Sequence, residues 1–115
     1  METLDAVEAL AALSQESRLQ IYRLLVEAGP KGMQAGEIAS ALDISPNTLT
    51  FHFDRLRHAA LVTVRRDGRA MIYAARFETM NDLIGYLTKN CCGGEAGKCA
   101  PIKKSARRKA TSSVR

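Results

Sequence analysis

The chain has 115 residues, of which 46% are hydrophobic and 25% charged, a composition typical of one soluble globular domain. Its acidic, amphipathic first residues are unlike a secretory signal peptide, and its apolar runs are too short to span a bilayer. We therefore expect a cytoplasmic protein without membrane contact. The net charge of +5 comes from residues 98–115, which hold seven basic and no acidic residues. A basic isoelectric point is thus weak support for a nucleic-acid partner.

Apolar residues at helical spacing predict two helices in the first quarter of the chain. The first covers residues 3–13. Ser14 is expected to cap the second, because serine favours the N-cap position. Gly29 and Pro30 are expected to end it, since glycine commonly follows a helix and proline cannot continue one.

Two more helices, joined by a very short turn, follow in the sequence. The third is predicted over residues 35–42, and Asp43 and Ile44 form the turn. The fourth begins with Ser45 as N-cap and Pro46 at the first helical position, a favoured start. Such a pair is typical of a helix-turn-helix. The apolar stripe of the fourth helix is expected to consist of Leu49, Phe53, Leu56 and Ala60.

A β-hairpin and a last helix complete the predicted fold. Strands are expected at residues 61–66 and 70–74, joined by a turn at residues 67–69. The last helix is expected to end near Asn90. The order ααααββα predicts a mainly α winged helix-turn-helix domain over residues 1–90, in which the hairpin is the wing. Residues 91–115 are expected to form a cysteine-containing segment and a flexible basic tail, to which we assign no specific role.

The face of the fourth helix opposite its apolar stripe carries short hydrogen-bonding side chains. Such a face suits the major groove, because asparagine pairs with adenine and arginine with guanine or phosphate. In the alternative interpretation these polar groups are merely solvated, and Arg55 and Arg57 pair with Asp54 or Asp43. We expect DNA contact from His52 and a structural role for His58. The candidate DNA-binding residues are Gln34, Ser45, Asn47, Thr48, Thr50, His52 and Arg55, with Arg65, Arg66 and Arg69 on the wing.

Residues 14–77 resemble the ArsR/SmtB family of metal-responsive repressors. The resemblance is carried by the run Ser-Arg-Leu-Gln-Ile-Tyr-Arg-Leu-Leu at 17–25, by residues 45–62, and by Arg-Arg-Asp-Gly-Arg at 65–69. It implies a winged-helix homodimer built through the first and last helices. It also implies that the inducer-free protein binds double-stranded operator DNA and is released when an inducer binds.

Three cysteines, Cys91, Cys92 and Cys99, lie within nine residues after the last helix. An odd number in a protein expected in the cytosol argues against a disulfide framework. The glycines after the adjacent pair allow the backbone to fold back, so three sulfurs could face one thiophilic ion. Lys89 and Lys98 favour the thiolate form. Three thiolates suit trivalent arsenic, whereas structural zinc usually takes four ligands. We therefore expect arsenite as inducer and no organic cofactor.

Other interpretations of the cysteines stay open. The family's thiol site before the recognition helix is missing from this chain, and its last helix lacks the histidine ligands of the zinc sensors. What remains resembles arsenite sensors with ligands after the last helix. Antimony, mercury or lead would also suit thiolates, and Glu95 could complete a zinc or cadmium site. Cys91 or Cys92 could instead form a redox-sensing disulfide with Cys99, or the cluster could be accidental. An enzyme is the poorest fit, because no catalytic or cofactor motif is present.

Overall fold

The computed structural model describes residues 1–94, which form five helices and a three-stranded antiparallel sheet. The predicted order ααααββα is confirmed, with one additional short strand before the third helix. No helix in this part of the chain is both long and apolar enough to cross a bilayer. The elements are α1 (Thr3–Leu13), α2 (Glu16–Ala28), β1 (Met33–Gln34), α3 (Ala35–Leu42), α4 (Pro46–His58), β2 (Val62–Asp67), β3 (Ala70–Ala75) and α5 (Phe77–Leu87).

The start of α2 differs from its prediction. Ser14 does not cap α2; it ends α1, where its hydroxyl donates a hydrogen bond to the carbonyl of Ala11 at 2.9 Å. The N-cap of α2 is Gln15, whose side-chain oxygen accepts from the backbone N–H of Arg18 at 2.9 Å. The longer glutamine side chain reaches the third amide of the helix and satisfies one of its unpaired donors.

The sheet has the strand order β1-β3-β2, so β3 is its central strand. Strands β2 and β3 form the predicted wing, in register from Val62 opposite Ala75 to Asp67 opposite Ala70. Strand β1 contributes two residues, and Met33 lies opposite Tyr73. It ties the loop after α2 to the base of the wing. Two residues carry no periodic pattern, and the sequence analysis therefore missed this strand.

The core is formed by inward-facing side chains of all five helices and of the base of the wing. Its five largest fully buried side chains come from α2, α3, α4 and the residue before β2. The ring of Phe53 stacks on that of Tyr73, with centroids 3.7 Å apart and planes 12° apart, which joins α4 to β3. The fully buried side chains are Ile21, Leu25, Ile38, Leu56 and Leu61.

Helices α1 and α5 leave apolar side chains uncovered. Helix α1 turns Ala6, Ala9 and Ala12 inward and leaves Leu4, Val7 and Leu10 exposed. A hydrogen bond between the hydroxyls of Thr3 and Tyr86 joins the two helices. We call the exposed set the apolar α1/α5 surface; its members are Leu4, Val7, Leu10, Ile84 and Leu87.

Candidate DNA-binding and inducer sites

Helix α4 begins as its sequence predicts. The hydroxyl of Ser45 accepts from the backbone N–H of Thr48 at 3.4 Å, and Pro46 occupies the first turn. The hydroxyls of Thr48 and Thr50 also have partners within the helix: Thr48 accepts from Ser45 at 3.0 Å, and Thr50 donates to the carbonyl of Pro46 at 3.0 Å. All these side chains are exposed near the helix N-terminus. This cap fixes the end of the helix that is predicted to approach DNA.

The outward face of α4 is formed by residues spaced four apart. Asn47, Phe51 and Arg55 are all exposed, and helical geometry aligns them on the side opposite the buried leucines. We call them the outer stripe. Asn47 has no side-chain hydrogen bond and Arg55 no ion pair within residues 1–94, whereas Arg57 pairs with Asp54 at 3.5 Å. The alternative of paired arginines therefore holds for Arg57 and not for Arg55.

Phe51 is an exposed aromatic residue that the sequence analysis did not single out. Its side chain is 60% exposed, while that of Phe53 is 2% exposed. Both phenylalanines were available for an apolar stripe, but only Phe53 lies four residues from Leu49. The spacing from Asn47 to Phe51 to Arg55 was the signal that places Phe51 on the opposite face.

His52 was predicted to contact DNA, and this prediction is wrong. Its side chain is buried, with 7% of its surface exposed. The physical reason is its spacing: His52 lies three residues after Leu49 and four before Leu56, so it shares their buried face. The other histidine, His58, is exposed, and its Nδ1 donates to the carbonyl of Asp54 at 2.7 Å.

Arg18 connects α1 with the buried face of α4. Its Nε donates to the carbonyl of Ala12 at 2.7 Å, and its Nη1 lies 3.4 Å from Nδ1 of His52. Because a guanidinium can only donate, His52 must accept at Nδ1 and carry its proton on Nε2. Burial lowers the pKa of His52, and the charge of Arg18 lowers it further. Burial also lowers the pKa of Arg18, with a second contribution from the charge of Arg55.

The lowered pKa of His52 predicts that acid destabilises the fold. Above the unfolded-state pKa of about 6.5, His52 is neutral in both states and its contribution to stability is complete. As pH falls below that value, the unfolded chain binds a proton more readily than the folded protein, so stability falls. Urea unfolding between pH 8 and pH 5 should show this decline, and His52→Gln should make it shallower. His58→Gln should show the same decline as the wild type, because it leaves His52 in place. If stability fell equally with pH in the wild type and in His52→Gln, the decline could not be assigned to His52.

The three arginines of the wing are all exposed but differ in their hydrogen bonds. Arg66 and Arg69 are exposed and make no ion pair within residues 1–94, so both can reach phosphate. Arg65 is also exposed, but its Nη2 donates to the carbonyl of Lys31 at 3.0 Å. This bond fastens the wing to the loop after α2, and phosphate contact by Arg65 would compete with it.

Gln34 lies in β1 and caps α3. Its side chain accepts from the backbone of Glu37, and the carboxylate of Glu37 accepts from the N–H of Gln34 at 2.9 Å. This reciprocal arrangement is a capping box, which gives Gln34 a structural role. Gln34 is nevertheless exposed, and DNA contact by this residue stays a prediction.

The first two cysteines lie in a tight turn that begins four residues after the end of α5. The turn covers Cys91–Gly94, and its backbone is left-handed at Cys92 (φ 56°), Gly93 (φ 69°) and Gly94 (φ 92°). Cys91 is half-buried and Cys92 is exposed. Cys99 lies outside the described residues. Within residues 1–94 no three histidine, cysteine or acidic side chains are grouped to hold a metal ion. Two adjacent thiols with glycines after them fit the donor chemistry of a thiophilic ion.

The chain is similar to several known regulators. Residues 13–65 match a helix-turn-helix domain family. An uncharacterized HTH-type transcriptional regulator of Bacillus subtilis, YceK, is 38% identical over 77 residues, or 66% of this chain and 76% of that protein. The transcriptional activator HlyU of Vibrio cholerae is 30% identical over 87 residues, or 76% of this chain and 78% of that protein.

Solved structures agree with these relatives. An ArsR-like transcriptional regulator from Rhodococcus sp. RHA1 superposes with a TM-score of 0.66 at 26% identity, covering 88% of this chain and 92% of that chain. HlyU has been solved, with a TM-score of 0.61 covering 76% of this chain and 97% of that chain, and a second structure is of its reduced form. The chain is therefore not an enzyme but a DNA-binding transcriptional regulator, and it belongs to the winged helix-turn-helix ArsR/SmtB family.

Proposed function

We propose that this regulator is a homodimeric repressor that leaves its operator when trivalent arsenic binds Cys91, Cys92 and Cys99. The observation that carries the proposal is the position of the adjacent thiols. Cys91 lies four residues after Leu87, the last residue of α5, and α5 is one of the two helices that expose the apolar α1/α5 surface. A ligand that orders this turn therefore acts beside the surface that sets the geometry of the dimer.

The DNA-binding step rests on α4 and the wing. The cap at Ser45 and the exposed Asn47 and Thr48 supply hydrogen-bonding groups at the N-terminal end of α4, which suits the major groove. Arg55 on the same helix and Arg66 and Arg69 on the wing supply positive charge for phosphate. These groups lie on exposed parts of the two elements that a winged helix directs toward DNA.

The homodimer rests on the apolar α1/α5 surface. Leu4 is 81% exposed, and Val7, Ile84 and Leu87 are each more than half exposed. A chain of this size rarely leaves so many large apolar side chains in water, and a second copy would cover them by an isologous contact. A two-fold dimer places its recognition helices about 34 Å apart, in successive major grooves. The operator is then expected to be an imperfect inverted repeat.

Inducer release follows from coupling between the two sites. Thiolates are the ligands that a soft, trivalent ion prefers, and the two adjacent thiols lie in a turn whose backbone is left-handed at Cys92. If arsenic favours a dimer geometry that fits DNA poorly, DNA must by linkage weaken arsenic binding equally.

A thiol redox switch is the second candidate. It uses the same cysteines, and the relative HlyU has been solved in a form called reduced. In this mechanism Cys91 or Cys92 forms a disulfide with Cys99, and a peroxide accepts the two electrons and protons released by the two thiols.

The proposal is tested by fluorescence anisotropy of a labelled operator obtained by selection from random duplex DNA. Arsenite added to the reduced complex is expected to weaken binding at least tenfold at low stoichiometry, and a competing dithiol should restore it; a coupling of 1–3 kcal/mol corresponds to about 5- to 150-fold. Cys91→Ser, Cys92→Ser and Cys99→Ser should bind the operator normally and respond poorly to arsenite.

Parallel titrations with peroxide, zinc and antimonite separate the alternatives. Release by peroxide alone would establish the redox switch and refute the arsenic sensor. Release by zinc alone would also refute arsenic. Loss of DNA binding in any cysteine variant without ligand would contradict a purely regulatory role for that thiol.

A further inference from the structure

The ring of Phe51 is largely exposed on the outer stripe of α4. It is 60% exposed, whereas Phe53 on the same helix is packed on Tyr73 in the core. The nearest ring to Phe51 is that of its neighbour His52, at a centroid distance of 6.1 Å and tilted by 59°. Holding a large apolar side chain in water has a free-energy cost, which a partner that covers this ring would remove.

The neighbours of Phe51 indicate a nucleic-acid partner. Asn47 lies one turn before it and Arg55 one turn after it on the outer stripe, and Thr48 and Thr50 are exposed beside it. These are side chains that bind bases and phosphates. The apolar residues of the α1/α5 surface, by contrast, belong to other helices. An aromatic ring embedded in a polar, partly cationic helix face therefore fits DNA better than a second apolar protein surface.

The major groove offers few apolar groups, and the most prominent is the 5-methyl group of thymine. We propose that Phe51 packs against a thymine methyl in each half-site and makes the regulator prefer thymine there. This inference rests on the proposed DNA-binding role of α4. Four residues of helix rise about 6 Å, so the thymine should lie within about two base pairs of the base contacted by Asn47.

The experiment removes the methyl group and the ring separately. Duplexes selected by the wild type are resynthesised with deoxyuridine replacing each thymine in turn, and binding is measured for wild type and Phe51→Ala. For the wild type, deoxyuridine at one particular thymine position of a half-site should weaken binding about fourfold. This is the factor that corresponds to burying one methylene-sized group. Phe51→Ala should bind the thymine and uracil duplexes equally and still select the other conserved positions.

A matched control is Phe77→Ala, which removes an exposed phenylalanine that lies on α5 and not on α4. It should keep the full preference for thymine over uracil, whatever it does to overall affinity. Thermal unfolding checks that Phe51→Ala is folded, as expected for an exposed residue.

Each outcome bears on the inference. A wild-type protein that ignores every thymine methyl, or a Phe51→Ala variant that keeps the wild-type preference, would overturn the role of Phe51 and leave the proposed DNA binding intact. A wild-type protein that selects no motif would overturn both.

Discussion

Replacing Gly32 with alanine is expected to lower the free energy of unfolding by about 3 kcal/mol. Gly32 has a φ of 72°, a left-handed conformation that costs other residues roughly 1–2 kcal/mol. A Cβ at this position would also lie 2.9 Å from Cγ2 of Ile72 and still closer to the carbonyl oxygen of Tyr73. That oxygen belongs to the central strand β3, which is paired on both sides, so it cannot move away without disturbing the sheet.

Gly68→Ala is the matched control for the Gly32 variant. Gly68 also has a positive φ, of 65°, but a Cβ there would meet nothing within 4 Å. It should therefore cost only the conformational penalty of about 1 kcal/mol. Urea unfolding monitored by circular dichroism measures both variants. Equal losses would show that the approach of Gly32 to β3 contributes nothing.

The Gly32 variant also has a functional consequence. Strand β1 follows Gly32 directly and pairs with β3, and Lys31 accepts the hydrogen bond of Arg65. Displacing this loop would shift the base of the wing relative to α4. We therefore expect weaker operator binding even at temperatures where the variant is folded.

The helices and the wing were predictable because their signals are local. Spacing of apolar residues marks each helix, Ser45 and Pro46 mark the start of α4, and Asp67 and Gly68 mark the hairpin turn. These features depend on residues a few positions apart. The fold class follows from their order.

The buried polar contacts were not predictable, because their partners are far apart in sequence. Arg18 and His52 are 34 residues apart, and nothing near either residue indicates the other. Judging α4 only by its apolar residues placed His52 on the wrong face. A helical count that includes every residue would have placed it between Leu49 and Leu56.

A third group of features could be predicted only in part, namely the surfaces that a second copy of the chain or a ligand would cover. In α1 the apolar residues Leu4, Val7 and Leu10 recur every three positions, yet the monomer buries the alanines instead. Periodicity detects an apolar face but does not say whether the same chain or a second copy covers it. The cysteines are similar, since thiol spacing indicates a soft ligand without identifying it.

Replacing Arg18 with methionine is expected to lower the free energy of unfolding by about 2 kcal/mol. The carbonyl of Ala12 lies in the last turn of α1, where carbonyls lack helical partners, and Nε of Arg18 donates to it at 2.7 Å. Methionine keeps the apolar stem and loses the donor, so this carbonyl and Nδ1 of His52 both lose their partner. Methionine also avoids the free-energy cost of burying the charge of Arg18, which offsets part of this loss of stability.

Arg23→Met is the matched control on the same helix. Arg23 is exposed and pairs with Glu27 across one turn at 3.3 Å, and exposed pairs contribute about 0.5 kcal/mol or less. Comparable losses for Arg18→Met and Arg23→Met in urea unfolding would contradict the role of Arg18. Arg18→Lys should recover only part of the stability, because a lysine lacks the planar fork that serves two acceptors.

The pH dependence of the Arg18 variant separates two contacts of Arg18, the one with His52 and the hydrogen bond to the last turn of α1. The charge of Arg18 is one of the two causes that lower the pKa of His52, the larger being burial. Removing that charge should raise this pKa toward its ordinary value, so Arg18→Met should lose less stability below pH 6.5 than the wild type loses. Suppose that the variant is less stable at pH 8 but its free energy of unfolding depends on pH as in the wild type. The hydrogen bond to the carbonyl of Ala12 would then be the contact through which Arg18 stabilises the fold. A shallower slope would show that α1, which carries part of the apolar α1/α5 surface, is coupled through Arg18 to α4, the helix that we propose faces DNA.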